Sequence, residues 1–186
     1  MSKRTATAAA PLVASKMPTR TGIVYLAHQL KSMQDTDYVI TTNESDFFRW
    51  EVGLPASVLP DVLQEDLARW SQITGEPPMI LSHIVYPSDY PNSPPFVRII
   101  RPRFQYMTGH VTIGGSICTE LLTPQGWTRM SPKVLFDALA FIFREGRGRI
   151  QLERNFHHPA PFADYSSEHE AKEAFVRAAK THGWRL

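Results

Sequence analysis

The sequence predicts an α+β fold: a four-stranded antiparallel meander sheet with an N-terminal helix and C-terminal helices. Three observations lead there. Four short segments with strand patterning fall between residues 38 and 100, close enough along the chain to pair as neighbours. Apolar residues recur at helical spacing on both sides of them. The order helix, hairpin, helix, two strands, long loop, two helices leaves helices to cover a sheet that cannot bury both faces by itself.

The elements follow in order. Residues 1–18 are low in complexity and too poor in large apolar side chains to offset the entropy of ordering. They are read as a disordered basic tail, and residues 19–186 as one domain. From Arg20 to Gln34, Ile23, Leu26, Ala27, Leu30 and Met33 form a helical stripe, with Thr21 as its candidate cap. "YVITT" (38–42) and "DFFRWEVGL" (46–54) read as strands joined by a turn at "NES". Val58, Leu59, Val62, Leu63, Leu67 and Trp70 mark a helix over 58–73, ended by "GEPP". "MILSHIVY" (79–86) and "FVRII" (96–100) are the third and fourth strands, separated by a proline-dense run that suits neither helix nor central strand. Residues 101–115 lack periodicity and read as a long loop. Ser131, Pro132 and Gly146 bracket one helix as cap, first residue and stop. Residues 168–184 form another, acidic at its start and basic near its end, as the helix dipole favours.

Composition excludes several classes. Apolar residues make up 42% of the chain, enough for a core, and no apolar run approaches the roughly 20 residues of a membrane helix. A net charge of +2 is too small to argue for nucleic acid. One cysteine cannot form an internal disulfide, and no secretory signal is visible, so a cytoplasmic or nuclear location is expected. The charge is uneven: Lys3, Arg4, Lys16, Arg20 and Lys31 precede the first acid, Asp35. A solvated tail with a basic helix face, a surface for an acidic partner, and an organellar transit segment all remain open.

The chemistry concentrates around that cysteine, Cys118. "YPSDYPNSPPFV" is a rigid ladder, closing on Pro94 and Pro95, that leads into a strand and fixes the following loop. "GGSIC" places Gly114 and Gly115 just before the thiol, 23 residues after Pro95. "QGW" puts Trp127 nine residues beyond it, and a helix opens at Ser131. Taken singly these are a surface turn, an inert buried thiol and a core tryptophan.

Together, Pro91, Pro94, Pro95, Gly115, Ser116, Ile117, Cys118 and Trp127 resemble, in order, the pattern of the ubiquitin-conjugating enzymes. "PPFVRII", "GGSICTELLTPQGW" and the terminal "THGW" are most similar to that family's divergent Q-type group. The resemblance runs over about residues 20–184. It implies the family's fold and its acyl relay. Ubiquitin, or a ubiquitin-like modifier, is passed from an activating enzyme to Cys118 as a thioester, and on to a substrate lysine or a ubiquitin ligase. ATP is spent by the activating enzyme in that relay, so no cofactor or metal is expected for this chain, nor nucleic acid or membrane as a partner. The family's His-Pro-Asn tripeptide falls here at Thr108, Gly109 and His110. His110 therefore stands where the loop-steadying asparagine stands in most members, eight residues before Cys118. The Q-type group also lacks the tripeptide. The "Ser-Pro-Ala" that many ring-type ligases grip is "TRM" here, and the family's acidic loop is not recognisable in "REGRGRIQL".

Acyl relay needs a reachable thiol, because the thiolate attacks. It also needs donors for the tetrahedral oxyanion, worth about 3 kcal/mol each. The expected site is Cys118 as nucleophile, with His110 as an oxyanion donor, a loop-steadying residue or a bland loop histidine. Gly114 and Gly115 would allow close approach and aim N–H groups at the reacting carbonyl. Pro94, Pro95 and Trp127 would brace the loop. Glu120 reads as structural or solvent-facing, and His157–His158, with no metal-ligand spacing around them, as a solvated loop. Two other functions stay in view: a weak or inactive ubiquitin-binding module of the same fold, and a cysteine hydrolase, for which no "QAC" or "CGSCW" signature is present.

Overall fold

The structure is a computed structural model that describes residues 20–186, so the tail expected over 1–18 lies outside the described residues. Strands β1 (Val39–Thr42), β2 (Arg49–Pro55), β3 (Met79–Val85) and β4 (Phe96–Arg101) pair in chain order, each antiparallel to the next. This is the predicted meander. Side chains alternate across a strand, so Trp50, Val52 and Leu54 of β2, Ile80 and Ile84 of β3, and Val97 and Ile99 of β4 share one buried face. The β1–β2 turn is closed by Asn43, whose Oδ1 accepts the Ser45 N–H at 2.9 Å.

Among the described residues there are four α-helices: α1 (Arg20–Ser32), α2 (Asp61–Thr74), α3 (Pro132–Glu145) and α4 (Glu168–His182). Some ends differ from expectation. The chain is already helical at Arg20, the first described residue, so Thr21 lies within α1 rather than capping it. Strand β2 starts at Arg49 rather than Asp46, because the Asp46 carboxylate accepts the Phe48 N–H and its carbonyl accepts the Arg49 N–H, which holds 46–48 in a turn. Residues 56–58 form a separate 3-10 turn, and Pro60 opens α2. Helix α3 matches: Ser131 Oγ accepts the Val134 N–H, Pro132 is its first residue, and Gly146 caps its end. Helix α4 stops at His182 because Gly183 turns left-handed at φ 72°.

Leu63, Leu67 and Trp70 of α2 and Leu135, Phe136, Leu139 and Phe143 of α3 are buried in the same cluster as the sheet's inner face. Burial of each such side chain stabilises by about 1.5–3 kcal/mol. Within α2, Asp66 is also buried. Its carboxylate accepts from Arg149 Nε at 2.7 Å, Arg149 Nη2 at 3.0 Å and the Ile150 N–H at 3.0 Å. That clamp fixes the segment after α3, where Ile150 bridges to Phe104 in the long loop.

One surface expectation is met at His157, which is exposed, and fails at His158. His157 stacks on Tyr106 with centroids 4.1 Å apart, and His158 is only 2% exposed. A local turn causes this: Asn155 Oδ1 accepts the His158 N–H, and the Asn155 N–H donates to the His158 carbonyl. Burial, with Arg103 nearby, holds the His158 imidazole below its ordinary pKa. Among the described residues, no group of three or more His, Cys, Asp or Glu is placed to hold a metal ion.

Candidate active site

The chain leaves β4, loops out, and returns along β4's free edge. The Ile99 N–H donates to the Gly115 carbonyl at 2.8 Å and the Ile117 N–H to the Val97 carbonyl at 3.2 Å, with Ser116 bridged opposite Arg98. Cys118 is the next residue out. The glycines before it serve close packing. Gly115 sits at φ 91°, where a Cβ would come within 2.7 Å of the Tyr165 ring. A Cβ on Gly114 would lie 2.8 Å from the Glu170 carbonyl and 3.1 Å from the Ala174 Cβ, so α4 rests directly on this loop.

The expectation that the glycines present N–H groups to a reacting carbonyl is not met at Gly115. Its N–H donates to the Thr112 carbonyl, that of Ser116 to Thr112 Oγ1, that of Ile117 to Val97 and that of Cys118 to the His110 carbonyl at 2.7 Å. Four successive amides are spent on holding the loop. His110 and Cys118 are thus coupled through the main chain. His110 is left-handed at φ 55°, and its ring is exposed. Its position is set from α3: the Gly109 N–H donates to the Gly146 carbonyl at 2.7 Å, and a Cβ on Gly146 would sit 2.6 Å from His110 Cδ2.

The Cys118 thiol is half-buried, and burial raises its pKa. It opens onto a pocket of about 340 Å³ that His110 also lines. One wall comes from the loop, through Tyr106, Met107, Val111 and Ile113. The other comes from α4, through Ala174, Arg177, Ala178 and His182. Beyond the cysteine, Thr119 caps a 3-10 turn over Glu120–Leu122 by accepting the Leu121 N–H. Glu120 is exposed there.

Support comes from an aromatic stack. Trp127 is half-buried and donates its Nε1–H to the Pro91 carbonyl at 2.7 Å, with its ring 5.9 Å from Tyr90. The Tyr90 hydroxyl donates to the Met130 carbonyl at 2.5 Å, and its ring meets Tyr86 and Tyr25 of α1. The proline run and the segment after Cys118 are fastened to each other and to α1. Pro94 and Pro95 lie apart from the thiol pocket and line a smaller apolar recess of about 160 Å³ with Ile117 and Leu122.

The chain was compared with known proteins. No protein-family model matches it. A human Q-like ubiquitin-conjugating enzyme protein is 30% identical over 170 residues, which cover 83% of this chain and 95% of that protein. This chain belongs to the Q-type group of the ubiquitin-conjugating enzyme family. A Q-like ubiquitin-conjugating enzyme protein of Drosophila melanogaster is 29% identical over 160 residues, 84% of this chain and 48% of that protein. The chain therefore spans about half the length of the Drosophila relative. A crystal structure of a ubiquitin-conjugating enzyme from Plasmodium falciparum shares the fold, with a TM-score of 0.50 at 16% identity over 73% of this chain and 94% of that one.

Within this Q-type chain, sequence reasoning missed the wall that α4 supplies. Arg177 and His182 reach the Cys118 pocket from more than 50 residues away in the chain. A signal was present. Ala171, Ala174 and Ala178 form a small-residue stripe at helical spacing, which complements a glycine pair that also demands close approach.

Proposed function

We propose that the chain is a single ubiquitin-conjugating domain over residues 19–186, acting in the cytoplasm or nucleus, and that Cys118 carries ubiquitin or a ubiquitin-like modifier. The Cys118 thiolate attacks the carbonyl carbon of the modifier's thioester on the activating enzyme. A new C–S bond forms, the old one breaks, and the activating enzyme's thiolate leaves. In the second step a substrate lysine amine, or a ligase thiol, attacks the new thioester. The Cys118 thiolate leaves, and a proton is lost from the attacking group. ATP is consumed by the activating enzyme alone.

The observation that carries this reading is the placement of Cys118. It ends a braced segment on the sheet edge of a Q-type family member, and it opens onto a pocket. His110 is the candidate for steadying the loop or donating to the oxyanion, because the backbone amides from Gly115 to Cys118 are already engaged. Gly114 and Gly115 let α4 and Tyr165 close on the loop.

A second reading, a weak or inactive modifier-binding module, is favoured by the raised thiol pKa. Even an ordinary cysteine is only a few per cent thiolate at neutral pH. Incubation with activating enzyme, ATP and modifier, followed by a non-reducing gel, separates the two. A reductant-sensitive adduct supports the enzyme. Its absence, with modifier binding retained, supports the module.

A further inference from the structure

The sheet has two edges, and only one is covered. Along β4 the returning thiol loop pairs with the strand, through Ile99 to Gly115 and Ile117 to Val97. At the opposite edge β1 pairs with β2 alone. The Asn43 N–H donates to the Arg49 carbonyl at 3.3 Å, which makes these two a bonded pair. Bonded and non-bonded pairs alternate along an antiparallel ladder. With Thr41 opposite Glu51 and Val39 opposite Gly53, the main-chain groups of Ile40 and Thr42 therefore turn to the free edge. Among the described residues no hydrogen bond meets them there. Natural edge strands are blunted by shortness, lysine, proline or a bulge. Apart from its length of four residues, β1 has none of these: it reads Val-Ile-Thr-Thr, all β-branched, and pairs without a register shift. Val39 is 51% exposed and Thr41 is exposed beside it, while Ile40 packs against the core. The surrounding charge is of one sign. No Lys or Arg lies between Lys31 and Arg49, whereas Asp35, Asp37 and Glu44 flank β1 and Glu51 stands one strand in. All four carboxylates are exposed, and none has an ion-pair partner among the described residues.

We propose that the free edge of β1 is a docking site for an extended, lysine- or arginine-rich segment of a partner protein, which adds a fifth strand to the sheet. The segment's main chain bonds to Ile40 and Thr42, and its side chains fall alternately on the two faces. Those beside Ile40, on the core side, are apolar. Those beside Val39 and Thr41 carry positive charge toward Asp37, Glu44 and Glu51. A second copy of this chain is a poorer occupant. Antiparallel pairing of β1 with itself brings Asp37 of one copy near Glu44 of the other at both ends, and like charges across a strand pair destabilise it. The carboxylates thus work against self-association and favour a basic strand. The site lies on the edge opposite the thiol loop and is independent of Cys118.

The test uses three short labelled peptides of equal length. One alternates valine and lysine, and one alternates valine and glutamate. The third repeats the lysine sequence with every main-chain nitrogen methylated, which keeps the charge and removes the ladder donors. Fluorescence anisotropy with the full chain should show the lysine peptide binding about tenfold tighter than either of the others. Amide exchange at Ile40 and Thr42, followed by NMR, should slow when that peptide is bound. Glu44→Lys should weaken it about fivefold, and Glu65→Lys, on the exposed side of α2, should leave it unchanged. No binding of the lysine peptide, equal binding of the methylated one, unchanged exchange at Ile40 and Thr42, or equal losses in Glu44→Lys and Glu65→Lys overturns the proposal. A concentration-dependent dimer that protects the same two amides makes a second copy the occupant and overturns it as well.

Discussion

At the residue scale, Cys118 is a thiol made less acidic by its surroundings. Burial stabilises its neutral form, so the thiolate appears at higher pH than in an unstructured peptide. Alkylation by iodoacetamide should therefore show a rate–pH midpoint above about 8.5, the ordinary thiol value. A midpoint at or below it would mean that a cationic group acts on the sulfur. His110 is the neighbouring test. Its carbonyl holds the Cys118 N–H whatever the side chain, so His110→Ala keeps the loop's main-chain bond. If the ring serves the oxyanion, discharge to free lysine slows by about tenfold or more while charging slows less. Equal discharge rates leave His110 a backbone anchor. Gly115 is a stability matter. Replacing it with Ala strains a φ of 91° and drives a Cβ toward the Tyr165 ring. A loss of about 1–3 kcal/mol is expected in a denaturant titration.

At the scale of elements, the contact that distinguishes this site is α4 against the sheet edge and the thiol loop. Arg49 on β2 donates to Glu168 at the start of α4, and Lys172, one turn on, donates to the same carboxylate. Phe175 packs against Phe96 of β4. Burial alone would raise the Glu168 pKa. The bonds from Arg49 and Lys172 outweigh it and pull the group from its ordinary 4.5 to about 2. A carboxylate depressed in the folded state stabilises fully above its unfolded value, and that contribution fades as pH falls through the folded one. Stability should therefore decline between about pH 4.5 and 2, and Glu168→Gln should flatten that part of the profile. An unchanged profile in Glu168→Gln would show that this ion pair does not dock α4. Helix α1 is held through Leu26 and the Tyr25–Tyr90 contact, so deleting residues 20–34 should lower the melting temperature and weaken charging, whereas deleting 1–18 should leave the melt within a few degrees. The existence and order of these helices were legible in apolar spacing and caps. The exact starts of α2 and β2 were not, because Pro60 and Asp46 impose local turns that periodicity does not register.

At the scale of the whole molecule, strand order and the place of the cysteine were readable because both depend on short-range pattern. A meander joins neighbours, and "GGSIC" lies one loop beyond its last strand. Part of what could not be read depends on chain segments that meet across long separations. The Arg177 and His182 wall is of this kind, whereas the burial of His158 and the engagement of the Gly115, Ser116 and Cys118 amides come from local turns that the residue pattern does not announce. The loop-bracing roles of Trp127 and Pro91 were half legible: the residues stood out, and the Nε1–carbonyl bond between them did not. The central claim is that this Q-type chain holds a modifier on its one thiol, and the charging reaction addresses it most directly. Wild-type protein with activating enzyme, ATP and ubiquitin or a related modifier should give one adduct that reductant removes. Cys118→Ser should give an adduct that reductant spares, since an alkoxide leaves less readily than a thiolate, and Cys118→Ala should fold and give none. Wild-type protein that stays uncharged with every modifier, or a Cys118→Ala variant that still forms the reductant-sensitive adduct, would contradict the account.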